Sequence, residues 1–326
     1  MKKIHLLAVG GTIASVSPDP LSCTNYKTVL NAEEVLAALG RDKLSGIAEV
    51  TTEDIIRKDS ASLTADNWLT LARRTVEVLE NCDGVVITHG TDTMEETAYF
   101  LNLCVKSRKP VILTGSMRPA SAVSSDAALN IYNAIAGAAS GKLEECGVLV
   151  CMNGVFTAAR DARKIHPTRP DAFTAVEMGT IASITDGVTE LYYRPERCHT
   201  INSRFDCRLI TTLPEVRILY AYADAPADWF DHCLERKVSG IVIAGVGNGN
   251  LSSAWHEKVA ALKGKITIVR CTRANGHVNR NGSQDDDALG TVCGGNLPAQ
   301  KARILLMFAL ASGLSTAEIQ QIFDQY

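Results

Sequence analysis

Short apolar runs alternate with amphipathic stretches along most of this chain. His5 to Val9, Gly84 to Thr88, Val111 to Thr114 and Gly147 to Met152 are mostly aliphatic and end at glycine or small polar residues. That pattern predicts strands buried on both faces. Between the first two runs, Trp68, Leu71, Ala72, Val76 and Leu79 recur at the helical spacing i, i+3, i+4, i+8, i+11, which puts them on one stripe of a helix. Strand alternating with helix predicts a parallel sheet covered on both sides, an α/β fold.

A second set of runs, Val216 to Ala221, Gly240 to Ala244 and Ile266 to Cys271, alternates with helical patterns that include Ala302, Leu305, Leu306, Ala309 and Leu310 on one face. Ser315 with Glu318 reads as a capping box opening the last helix. Between the two sets, residues 191–213 carry Tyr192, Tyr193, Pro195 and four arginines with no clean period. The expected organisation is an N-terminal catalytic domain over 1–190, a linker over 191–213 and a smaller C-terminal α/β domain over 214–326.

Composition narrows the partners. A chain of 326 residues, 46% hydrophobic, can bury a sizeable core in two domains. With 33 basic and 36 acidic residues and a net charge of -3, nothing favours nucleic acid or an anionic membrane. The ten cysteines contain no C-x-x-C pair and no zinc-like histidine spacing, so no metal is expected. They read as apolar fillers in a reducing compartment. The first apolar run, Ile4 to Val9, is too short for a signal sequence or a membrane span, so the expected location is cytoplasmic.

In open parallel sheets, ligands sit beyond the carboxyl ends of the strands. After the first strand comes Gly10-Gly11-Thr12-Ile13-Ala14-Ser15, and after Thr88 comes His89-Gly90-Thr91-Asp92-Thr93-Met94-Glu95-Glu96. A loop after Met152 carries Arg160-Asp161-Ala162-Arg163-Lys164. Gly10 and Gly11 permit a close backbone approach at Thr12, although a tight turn alone also explains them. Thr93 and Glu96 read as a capping box, which leaves Thr91 and Asp92 unexplained. A threonine hydroxyl becomes a nucleophile only when a base takes its proton, and Thr91, Asp92 and Lys164 supply hydroxyl, orienting carboxylate and proton acceptor. Asp59-Ser60-Ala61 precedes the Trp68 helix and is either a carboxylate-binding turn or a helix entry. Gly245-Val246-Gly247-Asn248-Gly249-Asn250 fails the dinucleotide fingerprint at position 250, and no G-x-S-x-G, H-E-x-x-H or phosphate-loop motif occurs.

At these residues the chain resembles the bacterial-type L-asparaginases: GGTIAS around Thr12, HGTDTMEETAY from His89 to Tyr99, AGVGNGNL around Asn248 and PAQKARIL from Pro298 to Leu305. The resemblance runs from end to end. It implies a larger N-terminal flavodoxin-like domain, Thr12 as nucleophile, and Tyr26 on a mobile loop assisting it. It implies a second triad of Thr91, Asp92 and Lys164, and a substrate α-carboxylate held at Ser60, with Gly11, Ala61 and Gly90 lining the site. It further implies a homotetramer of two intimate dimers in which Asn248 and position 283 reach a neighbouring subunit's site. Neither cofactor nor metal is implied.

Three departures accompany the resemblance. Ala61 stands where the secreted, high-affinity branch has glutamine, and Ser283 where that branch has a glutamate that binds the substrate ammonium. Asp285 or Asp286 is a candidate replacement, a solvated acidic loop being the alternative. The branch's disulfide positions correspond to Leu79 and Ser107, neither a cysteine.

The implied reaction is hydrolysis of L-asparagine to L-aspartate and ammonia through a threonine acyl-enzyme, with backbone N–H groups near Gly11 and Thr91 holding the oxyanion. Attack by Thr91 rather than Thr12 stays open at this stage. So do a broad glutaminase-asparaginase, since one methylene is a weak discriminator, and a non-catalytic amino-acid-binding protein.

Overall fold

The computed structural model describes all 326 residues, which divide into two compact units, Met1–Arg208 and Leu209–Tyr326. In the first unit the strands are β1 (Lys2–Ala8), β2 (Ser15–Val16), β3 (Lys27–Thr28), β4 (Ala48–Asp54), β5 (Gly84–Thr88), β6 (Val111–Thr114), β7 (Val148–Met152), β8 (Val155–Ala158), β9 (Ala162–Lys164), β10 (Phe173–Ala175), β11 (Ala182–Thr185) and β12 (Val188–Leu191). The helices are α1 (Ala32–Leu39), α2 (Ala65–Leu79), α3 (Met94–Cys104) and α4 (Ala127–Ala139).

Eight strands make one sheet in the order β12-β11-β8-β7-β6-β5-β1-β4. Its parallel part, taken in chain order as strands one to five, runs 2-1-3-4-5, the flavodoxin-like arrangement. Leu6, Val86, Ile112 and Leu149 face α1 and α4 in one apolar cluster. The alternate positions Leu7, Val85, Ile87 and Leu113 are just as buried, with α2 packed on β5 and α3 on β7. Helices on both faces are what the unbroken apolar runs require.

The purely parallel sheet expected from the alternation is extended by three antiparallel strands. Chain direction reverses between β7 and β8 at Asn153-Gly154 and between β11 and β12 at Asp186-Gly187, all four residues having positive φ. Asn-Gly and Asp-Gly are the pairs that two-residue hairpin turns of this kind demand.

The stretch read as a linker, 191–213, packs on the first unit as far as Arg208. Ser203 Oγ donates to the Leu103 carbonyl, Cys207 N to the Cys104 carbonyl at 3.2 Å, and Phe205 and Cys207 are buried. Its missing period is that of an irregular segment held by side chain to backbone bonds rather than of a free connection.

The second unit has β13 (Val216–Tyr220), β14 (Gly240–Gly245), β15 (Thr267–Thr272) and β16 (Val292–Cys293), all parallel and in that spatial order. Its helices are α5 (Asp228–Glu235), α6 (Ser253–Ala261), α7 (Asp286–Leu289), α8 (Ala299–Ala311) and α9 (Thr316–Gln325). Phe230, Trp255 and Val259 form the core on one face of the sheet, and α8 packs against β13, β14 and β15. The capping box of Ser315 and Glu318 is present at the start of α9.

Candidate active site

The first and third parallel strands, β1 and β5, lie side by side, and the connections that leave them go to opposite sides: β1 leads to β4 and β5 to β6. That is the point at which an open α/β sheet forms a crevice at its carboxyl edge. Ala8 pairs with Thr88, so the two strands end level. Both following loops enter the crevice together.

Glycine lets them meet. Gly11, at φ 90°, has no Cβ, and one placed there would stand 2.2 Å from the Gly90 Cα. Gly90 in turn would meet the Ser60 hydroxyl at 2.7 Å. Three loops, after β1, after β5 and before α2, therefore meet, the third through the Ser60 side chain. Ser60 is buried at the third of them, and Ala61 beside it is exposed, its N–H donating to Asp59 Oδ1 at 3.2 Å.

Thr12 and Tyr26 are joined hydroxyl to hydroxyl at 2.9 Å. Tyr26 is brought there by the ribbon of β2 and β3, in which Val16 pairs with Lys27. The ribbon is fastened by Ser15 Oγ, which donates to the Gly11 carbonyl at 2.9 Å and lies 2.9 Å from Thr28 Oγ1. Thr12 is buried and Tyr26 half-buried.

Across the contact between Gly11 and Gly90, Lys164 Nζ donates to Thr91 Oγ1 at 2.9 Å and to Asp92 Oδ1 at 2.6 Å. Lys164 comes from β9, whose backbone is tied to α3 because the Lys164 N–H donates to Glu95 Oε2 at 3.0 Å. Glu95 escaped the sequence reading, since an acid in a first helical turn usually serves only the helix dipole.

Thr93 corrects a further expectation. It stands at the N-cap of α3 but makes no side-chain cap bond. Its hydroxyl donates instead to the Ser60 carbonyl at 2.8 Å, joining the loop before α2 to the loop after β5.

His89 lies behind the pair of glycines and is fully buried. Its Nδ1–H donates to the Gly90 carbonyl at 2.6 Å. Burial moves its pKa down to about 4, so the ring is neutral near pH 7.

In the second unit, Asn248 Oδ1 accepts from the Asn279 N–H at 3.0 Å, and the Ser283 hydroxyl donates to the Asn250 carboxamide oxygen. The two aspartates suggested as replacements at position 283 differ in their engagement. Asp285 caps α7 by accepting from Ala288 N at 2.9 Å, and Asp286 is fully buried in an ion pair with Arg270. The solvated acidic loop describes Asp285 and Asp287, which are exposed, but not Asp286. No cluster of histidine, cysteine or acidic groups suited to a metal ion occurs.

Comparison with known proteins matches residues 3–197 to the family profile described as asparaginase, N-terminal, and residues 215–323 to the glutaminase/asparaginase C-terminal domain. The probable periplasmic L-asparaginase of Haemophilus influenzae is 38% identical, covering 100% of this chain and 93% of its own. L-asparaginase 2 of Escherichia coli is 39% identical, covering 100% and 94%. The glutaminase-asparaginase of Pseudomonas fluorescens biotype A is 38% identical, covering 100% and 91%. The crystal structure of a probable cytoplasmic L-asparaginase from Campylobacter jejuni superposes with a TM-score of 0.95 at 36% identity, both chains covered completely.

The Haemophilus relative, named as periplasmic, overturns the expected cytoplasmic location. Free cysteines are weak evidence of compartment here for a physical reason. Seven of the ten are buried, and burial pushes thiols such as Cys151 and Cys271 up, away from the reactive thiolate.

Proposed function

The chain belongs to the asparaginase family and is an amidohydrolase, and from that premise we propose that it converts L-asparagine to L-aspartate and ammonia through an acyl-enzyme on Thr12. The observation that carries the reading is the pair of buried threonine hydroxyls at adjacent strand ends, each with its own proton partner: Tyr26 on Thr12 and Lys164 on Thr91.

Thr12 Oγ1 attacks the side-chain amide carbon, and its proton passes by way of the Tyr26 hydroxyl to the departing nitrogen, which leaves as ammonia. Backbone N–H groups at the meeting of Gly11 with Gly90 and Thr91 hold the oxyanion. Donors of this kind contribute roughly 3 to 4 kcal/mol. As water attacks the ester, the Thr91 hydroxyl takes its proton and passes its own to Lys164 in the neutral amine form, and that proton is returned to Thr12 Oγ1 as it leaves. Asp92 orients the Lys164 amino group, and Ser60 receives the substrate α-carboxylate.

We assign the working form as a homotetramer in which Asn248 and Ser283 of one subunit complete a neighbour's site. A broader glutaminase-asparaginase is the second reading. It is favoured by Ala61, a small exposed side chain beside Ser60 that leaves room for one more methylene.

Ammonia release from L-asparagine and L-glutamine at equal concentration, with Thr12→Ala as blank, tests the proposal. Release from asparagine well above glutamine, lost in the variant, is expected. Equal release from both establishes the broader enzyme, and none from either rejects the hydrolase reading of this site.

A further inference from the structure

Arg270 is the largest charged side chain with no exposure at all, and its partner Asp286 is equally enclosed. As a device for stability alone this is a poor choice, because well-packed apolar residues usually serve as well or better in place of a buried ion pair. What apolar residues cannot do is bond several loops at once. All five guanidinium N–H directions of Arg270 are used: Nε to Asp286 Oδ1 at 2.8 Å, Nη2 to Asp286 Oδ2 at 2.5 Å and to the Asn279 carbonyl at 3.0 Å, and Nη1 to the carbonyls of Asn248 and Gly249 at 2.8 and 3.5 Å. Asp286 also accepts from Thr291 Oγ1 at 2.7 Å and from Asn281 N at 3.2 Å.

The 245–250 and 279–286 loops are thereby fixed to one another through one guanidinium. Gly249 makes room for it, since a Cβ there would stand 2.7 Å from Nη1. The consequence falls on Asn248. Its carbonyl is held by Arg270, and its Oδ1 is occupied by Asn279 N. The carboxamide is left with its NH2 as the group it can offer, beside Gly282, where a Cβ would come within 3.3 Å of Nδ2.

We propose that Arg270 and Asp286 are positioning residues that lock these two loops into one platform and fix Asn248 as a hydrogen-bond donor to the substrate. The inference rests on the reading of Asn248 as a substrate contact. At the position facing Asn248 charge is already matched or absent: Asp286 is paired with Arg270, Ser283 is turned to Asn250, and Asp285 is engaged as the N-cap of α7. The group that Asn248 itself offers is therefore an amide donor.

The test is a double-mutant cycle on the full-length enzyme, with Asn248→Ala, Asp286→Asn and their combination, read as kcat and KM for L-asparagine and as the calorimetric Kd for L-aspartate. Thr291→Val, which removes one bond to Asp286 and leaves the ion pair, serves if Asp286→Asn does not fold. Asp286→Asn is expected to raise KM and Kd about 10-fold with kcat changed less than about threefold, and Thr291→Val about threefold in the same direction, as loss of a bound-state contact without loss of chemistry requires. In the Asn248→Ala background either change should move KM by less than about twofold. Unchanged KM and Kd alongside a lowered Tm make the pair merely structural and overturn the inference, as does full additivity with Asn248→Ala. A wild-type chain that binds L-aspartate without releasing ammonia sinks the functional reading alone, since the Kd values still decide the inference. A chain that binds nothing sinks both.

Discussion

The Cα of Gly90 lies where a side chain on Gly11 would begin, 2.2 Å from an added Cβ. This contact brings the loops of Thr12 and Thr91 together at the ends of two strands, and it leaves no room for a Cβ at position 11. Gly11→Ala combines the φ of 90° with a backbone collision, so a loss of about 3 kcal/mol or more is expected. Thermal unfolding checks it, and a variant with unchanged Tm and activity would refute the contact.

Lys164 reaches both Thr91 and Asp92, and its stem is mostly covered. Lys164→Met keeps the stem and removes the amino group. A fall in kcat of about 10²-fold or more is expected, the usual scale for a lost proton-transfer group. Near-wild-type kcat at saturating L-asparagine would remove Lys164 from the mechanism.

Thr93 holds the Ser60 loop by a single bond to its carbonyl. Thr93→Val deletes that bond in nearly the same volume, about 1 kcal/mol of restraint. Because Ser60 is assigned to the α-carboxylate, KM should rise about fivefold while kcat stays close to wild type. A drop in kcat at constant KM would place Thr93 in the chemistry instead.

His89 titrates at about 4 in the folded chain against 6.5 for a free ring. Between these values the unfolded chain binds the proton and the folded chain does not, so stability falls as pH drops from 6.5 to 4, by about 3 kcal/mol for this group. Urea unfolding across that range should show a shallower loss for His89→Gln than for wild type. Parallel curves would mean that His89 is protonated while folded.

Much of this was open to reading along the chain. Trp68, Leu71 and Ala72 announce α2 because a helix that covers a sheet must repeat its apolar face every 3.6 residues. The unbroken runs of β5, β6 and β7 announce strands covered twice. Asn153-Gly154 and Asp186-Gly187 carried the antiparallel extension in plain view, yet the flanking strands are four or five residues long and too short for a period to declare itself. Thr12, Thr91 and Lys164 stood out because their loops follow strands. Arg270 did not, since inside an apolar run its charge reads as an outward-facing residue.

The sequence by itself determined the central parallel strands, the helices that cover them and the polar loops that follow them, because those properties depend on neighbours a few positions apart. Tertiary structure alone decided that Thr93 turns from its helix to Ser60, that Asp286 is spent on Arg270, and that Gly11 touches Gly90. Each of these joins residues far apart in the chain, and a hydroxyl or carboxylate with several partners in reach takes the one that burial leaves otherwise unsatisfied.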